Sequence, residues 1–149
     1  MKMYIKFIVM ILTSTAFMYA ATYLNSYSLD HVFWSETRFY MSLVMGSIMA
    51  VVMLLFMRHM YQNKLLNLCV LAGSLLLFSA SLYLVRSQVT VGDVSYMKAM
   101  IPHHSIAILT SERAKITDPR VRKLADEIIE AQKREISEMK NLIQDLESR

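Results

Sequence analysis

Thiol chemistry is almost missing from this chain: Cys69 is its one cysteine. A single thiol excludes an intramolecular disulfide and any thiolate cluster. Its place inside an apolar run reads as a small buried hydrophobe. Glycine and proline, at 3 and 2, are too few for flexible linkers or turn-rich β architecture. Charge is thin as well, 19% of residues against 55% hydrophobic. Soluble domains carry about a quarter charged residues, so the imbalance points to membrane spans. A basic face is also lacking. Residues 87–149 hold ten Lys/Arg and ten Asp/Glu, which places the whole net charge of +4 ahead of them. That neutral tail excludes a nucleic-acid-binding role, which needs a basic surface. No Ser/His/Asp or Cys/His arrangement suggests a nucleophilic hydrolase, and the expectation is a protein that is not an enzyme.

What the chain has instead is three long uncharged runs: 7–29, 39–57 and 65–85. Each is long enough to cross about 30 Å of hydrocarbon as a helix. Lys2 and Lys6 precede the first run without a clean Ala-x-Ala cleavage site after it, so it reads as an uncleaved anchor rather than a signal peptide. Lys2, Lys6, Arg58 and Lys64 flank one side of the spans, and Arg38 and Arg86, offset by Asp30 and Glu36, flank the other. The excess of basic residues predicts the N-terminus and the 58–64 loop in the cytoplasm. The 25–38 loop and everything after Arg86 would then lie outside, in the periplasm if the membrane is a bacterial inner membrane.

Beyond Arg86 the pattern becomes charged and periodic. Asp93 is placed to cap a helix from Val94. "TDPRVRKLADEI" puts Asp118 at a cap and Pro119 at the first helical position. Val121, Leu124, Ile128, Ala131, Glu135, Met139, Leu142 and Leu146 then recur at three- and four-residue steps, as one core-facing stripe would. The expected architecture is all-α: a three-span membrane domain over 1–86 and a two-helix hairpin over 87–149, with helices at 94–116 and 119–147. A hairpin alone buries little. Two copies pairing into a four-helix bundle would complete it, so a homodimer or higher homo-oligomer is expected.

The hairpin's first helix carries "YMKAMIPHHSIAI", residues 96–108. At 100° per residue, Met97, Met100 and His104 fall within about 60° of one face, with His103 on the neighbouring edge. Pro102 removes one helix hydrogen bond and should kink the helix, swinging the histidines relative to the methionines. A turn centred near Thr117 and Asp118 sets Met97 opposite Met139, Met100 opposite Glu135, and His104 opposite Ala131 or Gln132. Thioethers with imidazole suit a soft ion, copper(I) above all. Methionine sulfur stays neutral and forms no disulfide, which fits an oxidising compartment. The alternative is that these methionines pack a core and these histidines are satisfied polar groups.

These residues carry a resemblance. "YMKAMIPHHSIAI" followed by "TDPRVRKLADEIIEAQKREISEM" resembles the domain of unknown function 305 family. Its signature is a Met-Ile-x-His-His-x-x-Ala-Ile core and then a Leu-Ala-x-x-Ile-x-x-x-Gln-x-x-Glu-Ile-x-x-Met helix. Here those are Met100, Ile101, His103, His104, Ala107 and Ile108, then Leu124, Ala125, Ile128, Gln132, Glu135, Ile136 and Met139. The resemblance covers about 93–143. It implies a ferritin-like helical bundle outside the cytoplasm, with Met97, Met100, His103, His104 and Met139 binding copper as in some members. A short hairpin behind three spans departs from the larger secreted members.

The reading is therefore a membrane-anchored copper-binding protein for tolerance, storage or handover, with a copper donor or acceptor protein as a possible partner beside the lipid bilayer. A structural oligomerising membrane protein is the alternative. A ferritin-like metal oxidase needs a Glu-x-x-His pattern, which this sequence lacks. Two further features stand apart. Met41, Met45, Met49, Met53 and Met57 recur every four residues in the second span, with Met60 beyond. They form either a thioether track for copper(I) or flexible packing beside Gly46, Ser47 and Ala50. No span holds a buried charge of the kind transporters use. In the outer loop Asp30, His31 and Glu36 are candidates for an accessory metal site, although Phe33, Trp34, Phe39 and Tyr40 read equally as an interfacial aromatic belt.

Overall fold

The computed structural model describes residues 2–148. Among them the regular structure is entirely helical: five α-helices and one short 3-10 turn. The chain divides into two compact units. One holds the chain up to Thr22 with Thr37–Thr90, and the other holds Tyr23–Glu36 with everything from Val91. The Tyr23–Glu36 segment thus groups with the hairpin, a departure from a simple division after residue 86.

In the first unit, α1 (Lys2–Ala21), α2 (Glu36–Phe56) and α3 (Lys64–Ser87) are each long and apolar enough to cross a membrane. The first departs from its uncharged run. It takes in Lys2 and Lys6, whose stems can lie along apolar surface while the ammonium reaches water. It stops at Ala21 because the chain is turned there: the Thr22 N–H is shared between the Met18 and Tyr19 carbonyls at 3.2 Å each, and the Thr22 hydroxyl donates to Tyr19 O at 2.7 Å. The buried face of α2 is Ser42, Gly46, Ser47, Ala50 and Leu54. Ser42 and Ser47 donate back to Phe39 O and Val44 O at 2.7 Å, so neither hydroxyl is buried without a partner. A Cβ at Gly46 would lie 2.3 Å from Thr15 Oγ1, so glycine there is what lets α1 and α2 approach.

Phe7, Ala50, Leu54 and Tyr61 form this unit's buried cluster, with the Tyr61 ring edge-on to Phe7 at 5.3 Å. Asn63 caps α3 by accepting from Leu66 N at 3.0 Å. At its other end Gln88 adopts a left-handed φ of 52°. For a residue with a Cβ this costs roughly 1–2 kcal/mol. Its side chain offsets that by donating to Val85 O at 2.7 Å and accepting from Thr37 Oγ1 at 3.1 Å. Cys69 is free and exposed on α3, contrary to the buried position its apolar surroundings suggested.

In the second unit, α4 (Asp93–Arg113) and α5 (Pro119–Glu147) form the hairpin. Asp118 caps α5 as expected, accepting from Arg120 N at 2.8 Å with Pro119 in the first turn. Gly92, not Asp93, is the residue ahead of α4, and Asp93 lies in its first turn. There its carboxylate meets the positive end of the helix dipole without capping it. The helix ends at Arg113, three residues short of the expected limit, where Ala114 is extended. It runs unbroken through Pro102, which is fully buried.

The core joins Met97, Ile101 and Ile108 of α4 to Ile136 and Ile143 of α5, with Ile129, Met139 and Phe33 packed on it. This corrects the α5 stripe. Ala125, Ile129, Ile136 and Ile143 face the core. Val121, Leu124, Ile128, Leu142 and Leu146 remain 36–56% exposed. Both stripes have a helical period, and period alone does not choose between them. The isoleucine stripe wins because it meets Ile101 and Ile108, both of which are 0% exposed.

The segment Tyr23–Glu36 forms a strap on this core. Ser105, fully buried, accepts from the Tyr27 N–H at 2.7 Å and lies 3.0 Å from His31 Nδ1. Around the 3-10 turn Leu29–His31, Asp30 accepts from Lys140, and further on Glu36 accepts from the Ser95 hydroxyl at 3.0 Å.

Candidate metal centre

The helical spacing of "YMKAMIPHH" puts Met97, Met100 and His104 on one side of α4, and α5 brings Glu135 and Met139 to the same place. These five line one open groove of about 690 Å³. Met97 is buried at 7% exposure, while Met100, His104, Glu135 and Met139 are half-buried. Five of the six expected ligands therefore converge. The sixth does not: His103 is exposed and absent from the groove wall, its ring centred 6.4 Å from that of His104. Adjacent residues on a helix point about 100° apart, and with α4 continuous through Pro102 the expected swing does not bring His103 into the groove.

His104 also meets a different residue from the one expected. Its Nδ1 lies 3.0 Å from Glu135 Oε2, one turn beyond Ala131 and Gln132. Helical side chains lean toward the N-terminus of their own helix. In an antiparallel pair both therefore lean toward each other along the axis, and contacts form between positions further from the turn than Cα levels suggest. Lys98 with Glu147 and Glu112 with Lys133, which have longer side chains, are offset further in the same direction.

The contact between His104 and Glu135 has the length of an ion pair, so the buried Nδ1 has a carboxylate as its close neighbour. Burial lowers the His104 pKa below 6.5, against a smaller raising effect from Glu135, and nearby His103 lowers it further. The imidazole is therefore neutral at pH 7, the state in which a ring nitrogen can donate to a metal.

Among the described residues, no group of three or more His, Cys, Asp or Glu is arranged to hold a metal ion. His104 and Glu135 alone would not hold one. What the groove adds is three thioethers, a donor set that fits a soft cation and not a hard one. A neutral, half-buried imidazole beside those sulfurs, with a carboxylate at its Nδ1, is the feature that fits a bound ion best.

Sequence reasoning missed the other carboxylates on the wall, Asp93, Glu138 and Asp145. Their signal was present: Asp93 is one turn ahead of Met97, and Glu138 and Asp145 follow Glu135 at three and ten residues, all on the same faces. The accessory site does not form. Asp30 is engaged by Lys140 and Ser28, His31 by Ser105 and Glu36 by Ser95. Lys140, and then the Ser28 hydroxyl, hold the Asp30 carboxyl down to about 2, and burial lowers His31. Along α2, Met41 and Met45 are exposed, and Met53, with Met57 just past the helix end, packs on the buried cluster of their unit.

Residues 86–149 match a family described as domain of unknown function (DUF305). A relative from Acanthamoeba polyphaga mimivirus, "Uncharacterized protein L153", is 34% identical over 108 residues, covering 70% of this chain and 68% of its own. The chain belongs to the DUF305 family. The matched region takes in α4 and α5, and with them the whole groove. The likeness to the viral relative covers more of the chain than residues 86–149 hold, so it extends beyond the DUF305 region. No solved structure matches the chain.

Proposed function

We infer that this DUF305 protein is a membrane-anchored metal-binding protein that holds copper(I) in the α4/α5 groove, for tolerance, storage or handover. The observation that carries this reading is the convergence of Met97, Met100 and Met139 on one neutral, half-buried imidazole. Those three sulfurs and His104 would hold the ion. Glu135, behind Nδ1 at 3.0 Å, would orient the ring and leave Nε2 for the metal, as carboxylates behind ligating histidines do. His103 is outside the ligand set.

The basic residues flanking the spans support a cytoplasmic N-terminus with the hairpin on the opposite face, the periplasmic one in a bacterial inner membrane. A thioether site suits that oxidising side. The groove is open, which suits exchange with a copper donor or acceptor protein. The half-exposed stripe on α5 supports a homo-oligomer.

The test is a competition titration with copper(I) on the full chain in detergent, under reducing conditions. His104→Ala and the triple change Met97→Leu, Met100→Leu, Met139→Leu should each lower affinity at least tenfold, with His103→Ala close to wild type. Unchanged affinity in the triple variant would reject the site. One observation favours a second reading, a structural module without metal: Met97 is also part of the isoleucine core. In that case the wild type would show no stoichiometric binding.

A further inference from the structure

Two apolar seams run along α5, each with a seven-residue repeat. Ile129, Ile136 and Ile143 make the first and are packed against α4. Val121, Ile128 and Leu142 make the second, with Glu135 in the remaining place and Leu124 beside it, and they are 36–56% exposed. A helix in a two-helix hairpin needs one such seam; a second seam at the same spacing fits a second helical neighbour. The far half of this seam is continuous with the copper groove, whose wall includes Glu135, Leu142 and Leu146.

The charges of α5 say which way that neighbour runs. Its first five residues include Arg120, Arg122 and Lys123, just after the capping Asp118, with no acidic residue in the first turn. Its last seven include Asp145 and Glu147 with no basic residue. This order opposes the helix's own dipole, which favours acid at the start and base at the end. A copy of α5 running the other way sets each basic start beside an acidic end and relieves both mismatches. A parallel copy would set like beside like.

We propose that a second copy of this chain docks antiparallel on the Val121/Ile128/Leu142 seam, so that the partner's 121–128 half closes the metal groove. The groove is then completed between two copies rather than within one. Its closing residues are apolar and exclude water from the thioethers. The metal part of this proposal rests on the copper reading, and the pairing does not.

The experiment uses the full chain in detergent with Cys69→Ser as background, and Leu124→Cys and Leu142→Cys as separate proteins. In an antiparallel pair centred near residue 133, equal positions 124 lie about 27 Å apart, from about 1.5 Å per residue. A disulfide needs Cα atoms within about 7 Å. Without metal, mild oxidation should crosslink the mixture of the two proteins and neither alone. Self-crosslinking of both single variants would overturn the proposal in favour of a parallel pair. No crosslink, with a monomeric mass by light scattering, would overturn pairing altogether. Leu124→Glu, remote from the groove of its own copy, should dissociate the pair and weaken copper(I) binding at least tenfold. Dissociation with unaltered copper affinity would overturn the shared site. A crosslinked mixture in a wild type that binds no copper would support the pairing and reject only the copper reading.

Discussion

Ser105→Ala should loosen the strap while leaving the hairpin folded. The Ser105 hydroxyl is fully buried and serves two strap groups: the Tyr27 N–H at 2.7 Å and His31 Nδ1 at 3.0 Å. Alanine removes both contacts and little volume. A net hydrogen bond is worth about 1 kcal/mol, and a donor left unsatisfied costs about 1–3 kcal/mol when fully buried. Both strap groups are only partly buried and can regain water on opening, so the lower end applies, about 2 kcal/mol in all. That corresponds to roughly a 30-fold rise in strap opening, at 1.4 kcal/mol per factor of ten. Hydrogen–deuterium exchange on the full chain reads it directly. Residues 27–36 should exchange about 30-fold faster, with Ile101, Ile136 and Ile143 nearly unchanged. Equal protection of the strap in wild type and variant would refute the account of Ser105 as its anchor. Equal loss across α4 and α5 would refute the separation of strap from core.

Acid should destabilise the second unit through His104. Its folded pKa is below 6.5, so the unfolded chain binds more protons there and stability falls as pH drops below about 6.5. His104→Gln should flatten part of the loss in melting temperature between pH 7.5 and 5.5, and an identical slope in both proteins would count against it. Gly46→Ala should destabilise the three-helix unit by about 1–2 kcal/mol, because the new Cβ meets Thr15 Oγ1 at 2.3 Å and overpacking outweighs the gain in helix propensity. Thr15→Ala should rescue it in a double-mutant cycle; simple additivity in detergent unfolding would argue against contact. Replacing Met41, Met45 and Met49 with leucine should leave copper(I) affinity in the groove unchanged within twofold by competition titration.

Much of this architecture was legible in the residues, for identifiable reasons. Long uncharged runs have few alternatives to a spanning helix, and Asp118 with Pro119 can begin a helix but cannot continue one. The convergence of Met97, Met100, His104, Glu135 and Met139 followed from helical period and an antiparallel turn. Three features were not legible. The choice between two apolar stripes on α5 depends on which one meets Ile101 and Ile108, a contact made across the hairpin. The strap's attachment to Ser105 joins residues 78 apart through one hydroxyl, and no local pattern encodes that. His103 looked equivalent to His104 because the two are neighbours in sequence, yet on a continuous helix neighbours face different ways.

X-ray absorption at the copper edge, on the copper(I)-loaded full chain, is the most direct test of the thioether site. The account predicts sulfur scatterers with a single imidazole nitrogen, and loss of the sulfur signal in the Met97→Leu, Met100→Leu, Met139→Leu variant. A first shell of nitrogen and oxygen alone, unchanged in that variant, would contradict it.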